Sequence, residues 1–353
     1  MNNFLIKHHI RLIAAVIVIG ALAFGWMPDP ATAMAGIAIL GTAPAPFPIT
    51  PELTAVAVAY KNGAMIADNV LPRVAVGSQA FKYNKYPIGE LLSPPDTEVG
   101  RKGKPNEVEF TATETPDATI DQALDDTVPI ADILNARSQP GLPDPEMRAA
   151  LGVTELIVLR REVRSAALVF AAASYGADNK VLLAGNDQWS DYVNSSPLTA
   201  IIDKLDTMMM RPNIAVLGRA TFTKIAQHPK VCKAVFGNNT DAGMVTRRQL
   251  ADQLELEELY VGEGWVNTAA KGQAVVKARV WGKHAAFLHR NMNADPQYGV
   301  TFGFTAQWGT RFGGSEYDGN VGMRGAQRVR VGESVKELIT ANDLGFFFEN
   351  AVA

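Results

Sequence analysis

Apolar positions recur at steps of three and four over the longest patterned stretch of the chain, Pro145 to Tyr175, at Leu156, Leu159, Val163, Ala167 and Phe170. This spacing predicts one α-helix with those residues on its dry face. Arg160, Arg161, Glu162 and Arg164 fall mostly on the other faces and are expected to be wet. Asp144 is placed to cap the first turn, with Pro145 at the first helical position and Gly176 as a left-handed stop. Gly152 costs roughly 1 kcal/mol inside a helix and is expected to break the first turns away. A helix of about 20 residues or more is well above the usual three turns, long enough to lie across a two-part molecule.

Shorter patterns surround it. Pro51 to Tyr60 predicts a short amphipathic helix, and Val70 to Tyr86 one long strand or a strand pair. Pro87 to Asn135 is rich in proline and acid, yet Glu107 to Thr113 alternates like a strand. That strand is expected to pair antiparallel with Tyr86–Leu92, making a projecting ribbon with Gly100–Lys104 at its tip. Beyond the long helix, a strand at Lys180–Ala184 is followed by helices from Ser196, Thr221 and Thr246, with a buried strand at Arg211–Leu217 between them. From Leu259 the pattern is mostly strand, in segments up to Val335–Ile339. Helix and strand therefore alternate over residues 180–290, and the chain closes in sheet.

The first fifty residues differ. Lys7, His8, His9 and Arg11 precede an apolar run from Leu12 to Gly25, with small residues at Ala31-Thr32-Ala33 after it. This opening has three readings from residues alone: a secretory signal, a membrane anchor, or an apolar arm that packs on a partner subunit. Gly41 to Pro51 carries four prolines and reads as an extended linker.

Composition narrows function mainly by exclusion. The 353 residues carry a formal net charge of −3, without the basic excess of nucleic-acid readers. The single cysteine, Cys232, excludes an intramolecular disulfide and a multi-cysteine metal site. Gly100-Arg101-Lys102-Gly103-Lys104-Pro105 has the wrong spacing for a phosphate loop, and Pro105 lacks an amide that such a loop needs. Gly314-Ser315-Glu316 lacks the second glycine of a nucleophile elbow. His284 and His289 are five apart on or beside a strand and face opposite sides. Cys232 near His228 has the makings of a nucleophile pair, but its apolar setting favours a small buried residue. Trp265, Trp281, Trp308, Phe302 and Phe304 lie near arginines, though alternation makes their segments ordinary two-faced strands rather than a base-stacking platform. Arg324, Arg328 and Arg330 with Glu333, Lys336 and Glu337 suggest charge pairs along a sheet edge or across an interface.

Many segments resemble one family. YPIGELLSPPDTEVGRKGKPNEVEF, VLRREVRSAALVF, NDQWSDYVNSSPL, RPNIAVLGRATFTKIAQHP, ARVWGKHAAFLHR, VTFGFTAQWGTR and GESVKELITANDLGFFFENAVA look like the major capsid proteins of tailed phages with the Hong Kong 97-type fold, as in siphophages and Mu-like phages. The resemblance spans roughly Ile49 to Ala353 and implies an α+β fold. Its expected parts are an N-terminal arm (1–50), the start of a peripheral domain (51–86), an extended β-hairpin loop (87–135), the peripheral domain with its long spine helix (136–185), an axial α/β domain (186–325), and C-terminal strands returning to the peripheral domain (326–353). The arm is then the favoured reading of the opening.

The resemblance further implies a subunit without enzymatic activity or cofactor. It would assemble in the host cytoplasm into hexamers and pentamers of an icosahedral virion shell around double-stranded DNA, with no membrane in the assembled state. Portal, scaffold and decoration proteins are the further partners it implies. Arg101, Lys102 and Lys104 on the loop tip and Arg160, Arg161 and Arg164 on the helix are the expected contacts between subunits. The cross-linking lysine and asparagine of the founding member have no clear counterparts here. An encapsulin-like compartment shares the fold and remains an alternative at this point, as does an exported soluble protein suggested by the opening alone.

Overall fold

The computed structural model describes residues 47–59, 65–85, 94–107, 113–139, 141, 143–237, 242–296 and 299–353. The apolar opening, and with it the arm, signal and anchor readings, lies outside the described residues. In chain order the helices are α1 (Pro51–Ala59), α2 (Ala67–Val70), α3 (Ile130–Ser138), α4 (Pro145–Val169), α5 (Pro197–Leu205), α6 (Arg219–Ala226), α7 (Pro229–Phe236) and α8 (Arg247–Gln253). The strands are β1 (Arg73–Val76), β2 (Ala80–Lys85), β3 (Thr113–Ala118), β4 (Ile120–Pro129), β5 (Lys180–Leu182), β6 (Ile214–Gly218), β7 (Glu258–Gly262), β8 (Trp265–Asn267), β9 (Lys277–Arg279), β10 (Ala285–Leu288), β11 (Gly303–Asp318), β12 (Ala326–Ile339) and β13 (Gly345–Glu349).

Two sheets divide the molecule. The first has the order β1-β11-β12-β4, built on the long antiparallel β11–β12 hairpin with parallel β1 and antiparallel β4 at its edges. Helices α1 and α4 cover one face, where Leu53, Ala57, Val153 and Ile157 close over Val329 and Val331. The second sheet has the order β5-β13-β10-β6-β7 and is covered on both faces. Its central strands are accordingly apolar without a break (IAVLG, AAFL, GFFFE). Ala215, Leu217, Phe346 and Phe348 point into a core with α5 to α8. Val216, Ala286 and Phe347 point the other way, toward the end of α4, where Tyr175 lies between the rings of Phe302 and Phe347 at 5.2 Å from each.

Several expectations change. The long helix starts where the capping residues place it, with Asp144 Oδ1 accepting from Glu146 N at 3.0 Å, and it runs unbroken through Gly152. It ends at Val169, capped by Phe170; Gly176 is not its left-handed stop. A side chain at Gly176 would meet Asp343 Oδ1 at 2.7 Å, a contact the exposed aspartate side chain can relieve by turning away. The extended loop is shorter than residues 87–135, because Ile120–Pro129 is an edge strand of the first sheet and Ile130–Ser138 a helix. The ribbon pairs Ala80–Lys85 with Thr113–Ala118, and the register runs toward the expected 86–92 and 107–113 pairing, most of which lies outside the described residues. β11 belongs with β12 in the first sheet rather than to the axial part. Of the C-terminal strands only β12 returns to the first sheet, since β13 is an inner strand of the second.

Gly218 ends β6 under the 281–284 turn, and a Cβ there would lie 1.8 Å from the Gly282 carbonyl oxygen. A backbone atom cannot step aside cheaply, so Gly218→Ala is expected to cost about 3 kcal/mol, seen as a lower thermal midpoint. Gly152→Ala meets nothing within 4 Å inside α4 and should raise that midpoint by about 0.5–1 kcal/mol equivalent.

Candidate assembly surfaces

The sequence places chemistry at three points, and each has a distinct environment. The loop segment carries a turn closed by Gly103 N–H donating to Gly100 O at 2.7 Å. Arg101, Lys102 and Lys104 are all exposed there, and among the described residues Lys104 pairs with Glu107, three residues on, at 3.3 Å. Such an exposed pair adds little to stability, so these cations are available to another surface.

The long helix corrects the expected wet and dry faces. Leu156 is 56% exposed and Ala167 is exposed, whereas Arg161 is 2% and Glu162 0% exposed. Of the five predicted dry residues, Leu159, Val163 and Phe170 are half-buried, and Phe170 packs on the second sheet's core. Apolarity alone points the helix the wrong way because its two buried charges find their partners far along the chain. Glu162 Oε1 accepts from Ile66 N at 2.9 Å and Trp281 Nε1 at 2.5 Å, and Oε2 accepts from Ala67 N at 2.8 Å. The carboxylate therefore holds the start of α2. Burial pushes Glu162 above the usual carboxylate range, and these three donors oppose the shift.

Arg161 is paired with Asp68 and donates from Nη2 to Thr305 Oγ1 at 3.0 Å and Leu71 O at 3.3 Å. Arg73 bridges Asp68 and Glu333 at 2.7 and 2.9 Å, and Arg311 reaches Glu333 at 2.8 Å and Ala57 O at 3.0 Å. Burial raises the Asp68 and Glu333 carboxyls, but the neighbouring guanidiniums outweigh it and hold both below their ordinary values. Arg164 binds Glu337 at 2.9 Å and Gln122 Oε1 at 3.2 Å. Arg161 and Arg164 are therefore engaged within the protomer rather than presented to neighbours. Arg160 is exposed, beside Leu156 on the uncovered side of α4.

The residues that invited a catalytic reading are held structurally. Lys230 N–H donates to His228 Nδ1 at 3.2 Å, which leaves the proton on Nε2, facing Ser195 Oγ at 3.1 Å. Ser195 in turn donates to Asp191 O at 2.6 Å, so the ring caps α7 and does not act as a base. Cys232 Sγ sits 3.6 Å from Ala226 O, and burial pushes the thiol up. Of the three arginines singled out on the last strands, Arg330 pairs with Asp125 of the edge strand at 2.6 Å and Arg328 with Asp318 across the hairpin, while Arg324 is exposed.

Two further surfaces escaped sequence reasoning. One is a groove of about 660 Å³ on the face of the first sheet away from α4, with Ala123, Trp308 and Phe312 on its floor. The other is the β11–β12 tip, where Met323 is 92% exposed. Neither has a motif, because each depends on which strands lie side by side.

A two-sheet α+β subunit with a two-stranded ribbon and a spine helix matches known shells. A phage-related protein from Bordetella bronchiseptica superposes with a TM-score of 0.68 at 24% identity, over 86% of this chain and 98% of that one. The capsid structure of cyanophage P-SCSP1u gives 0.52 at 9% identity, over 82% and 89%. These likenesses establish a Hong Kong 97-type fold. The family described as phage major capsid protein E matches residues 168–282. A major capsid protein of Pseudomonas phage JBD67 is 56% identical over 309 residues, covering 88% of this chain and 99% of the relative. The chain belongs to the phage major capsid proteins. The Mu-like phage BcepMu of Burkholderia supplies another capsid protein, 27% identical over 61% of this chain and 69% of that one. As a capsid protein, this subunit assembles with copies of itself in the virion shell, and its outward-facing surfaces acquire a purpose.

Arg161→Glu would put a third carboxylate beside Asp68 and Glu337 in a buried site and is expected to cost about 3–5 kcal/mol, read as a large fall in the subunit's thermal midpoint. Arg160→Glu on the exposed side should change it by no more than about 0.5 kcal/mol. Acid provides a second measurement. Burial depresses His228 and His284, whose Nδ1 accepts from Asn350 N at 3.0 Å. A base depressed by folding contributes fully above its unfolded value of about 6.5 and loses that contribution as pH falls below it. Depressed Asp68 and Glu333 lose theirs only below about pH 4. Chemical denaturation should show stability falling from pH 7.5 to 5.5 and again below about 4. His228→Asn, which can still accept from Lys230 N, should flatten the first step.

Proposed function

We propose that this capsid protein forms hexamers and pentamers that close into an icosahedral shell around the phage's double-stranded DNA, assembling in the host cytoplasm. The observation that carries this reading is the exposed basic turn at Gly100–Lys104. The β2–β3 ribbon before it already rests on its own subunit, with Tyr83 buried beside Phe304 and Leu338, so it is the turn that offers itself to the neighbouring subunit of a shell. Arg101, Lys102 and Lys104 then meet acidic groups of that neighbour, and Arg160 serves the same purpose on α4. Ring contacts between unlike patches repeat and close, as hexamers and pentamers require. A subunit of net charge −3 suits a wall that confines DNA without gripping phosphates. A portal for DNA entry, a scaffold during assembly and decoration proteins complete the partners this reading implies.

Electron microscopy of the protein expressed with its neighbouring phage genes tests the proposal. Closed icosahedral particles whose contents are sensitive to nuclease only after disruption are expected. Monomers and small oligomers alone, or shells filled with protein cargo, would count against it. Replacing Arg101, Lys102 and Lys104 together by Ser should lower particle yield at least tenfold while the subunit's thermal midpoint stays unchanged.

A further inference from the structure

The β11–β12 tip is a built presentation of one apolar side chain. Gly322 and Gly325 take positive φ values of 63° and 78°, and the Tyr317 ring covers Gly325 so closely that a Cβ there would lie 2.3 Å from its hydroxyl. Tyr317 Oη donates to Arg324 O at 3.3 Å, Asn320 N donates to Asp318 Oδ1 at 3.0 Å, and Arg328 ties Asp318 to the returning strand. On this braced turn Met323 stands 92% exposed with exposed Arg324 beside it. The braced turn holds Met323 in one exposed position, which lowers the ordering cost of any contact made there.

The groove on the same sheet has the complementary character. Its floor is Ala123, Trp308 and Phe312, with Trp308 43% exposed, and its rim on β4 carries Asp121 and Asp125. Asp125 is engaged by Arg330, whereas Asp121 meets the Gln79 amide only at 3.5 Å. The tip cannot enter its own groove, because the Asp318–Ala326 pair lies six residues along the hairpin from Phe312–Gly332, about 20 Å at ~3.3 Å per residue.

We infer that the β11–β12 tip of one subunit docks into the β4–β11–β12 groove of a second copy, Met323 covering Trp308 and Phe312 and Arg324 pairing with Asp121. The contact is heterologous, tip to groove, so it propagates head to tail until a ring closes. It rests on the shell reading, and it names which faces of the first sheet meet.

The test is disulfide trapping in assembled particles. Ala123→Cys and Met323→Cys in one chain should give an oxidant-dependent ladder of covalent multimers on denaturing gels, and neither single variant should do so; Cys232 is buried and does not compete. Particles of the double variant that give no ladder overturn the inference. Should that variant form no particles, charge reversal decides. Asp121→Arg and Arg324→Asp should each lower particle yield at least tenfold, and the two together should restore it. Unchanged yields from the single variants, or no restoration, overturn the inference as well. Wild-type protein that makes no particles would instead sink the shell reading itself.

Discussion

Arg161 and Glu162 sit side by side on a helix face that is sealed from water, and much of the first sheet's architecture answers that arrangement. A buried charge left unpaired costs several kcal/mol, so each must be met by groups in fixed positions. Glu162 is met by two backbone amides at the start of α2 and by the Trp281 indole. Arg161 is met by Asp68, the Leu71 carbonyl and Thr305. Through Arg73, Glu333 and Arg311 the same network extends to β1, β12 and the carbonyl of Ala57 in α1. Hydrophobic contact holds α4 on its sheet, but it tolerates sliding and rotation. Directional bonds to a central arginine and glutamate do not, and they set the helix in one rotation about its axis.

That rotation decides what the capsid protein shows its neighbours. With Arg161 and Glu162 turned inward, Leu156, Ala167 and Arg160 are left outward on the spine helix. The other face of the first sheet is shaped by close packing. Phe312 lies over Gly332, where a Cβ would meet the ring at 2.8 Å, and the Trp308–Phe312 irregularity in the β11–β12 pairing forms part of the groove. Bulges of this kind bend a strand and re-aim its side chains, a common device where a sheet edge must bind something. The second sheet is different: both its faces are filled, and it offers neighbours mainly its edges and covering helices.

Much of this was legible from residues alone. The start of α4 follows from Asp144-Pro145. The unbroken apolar run of β6 marks a strand covered on both faces. Other features were misread for physical reasons. Acidic Ile120–Pro129 looks like loop because an edge strand exposed on both sides has no apolar alternation. Gly345–Glu349 looks continuous with the closing strands, yet pairing with β10 and β5 carries it into the other sheet.

Sequence by itself determined the family, the existence of the long helix, and the alternation of helix and strand in the second lobe. Those depend on local spacing, capping and turn chemistry, which act over a few residues. Only the tertiary structure decided which side of the Pro145–Val169 helix is dry. The favoured partners of Arg161 lie 93 and 144 residues away, so periodicity along the helix cannot reveal that a charged face is the buried one. The groove and the Met323 tip were hidden for the same reason, since each is made by strands that meet only after the chain has folded.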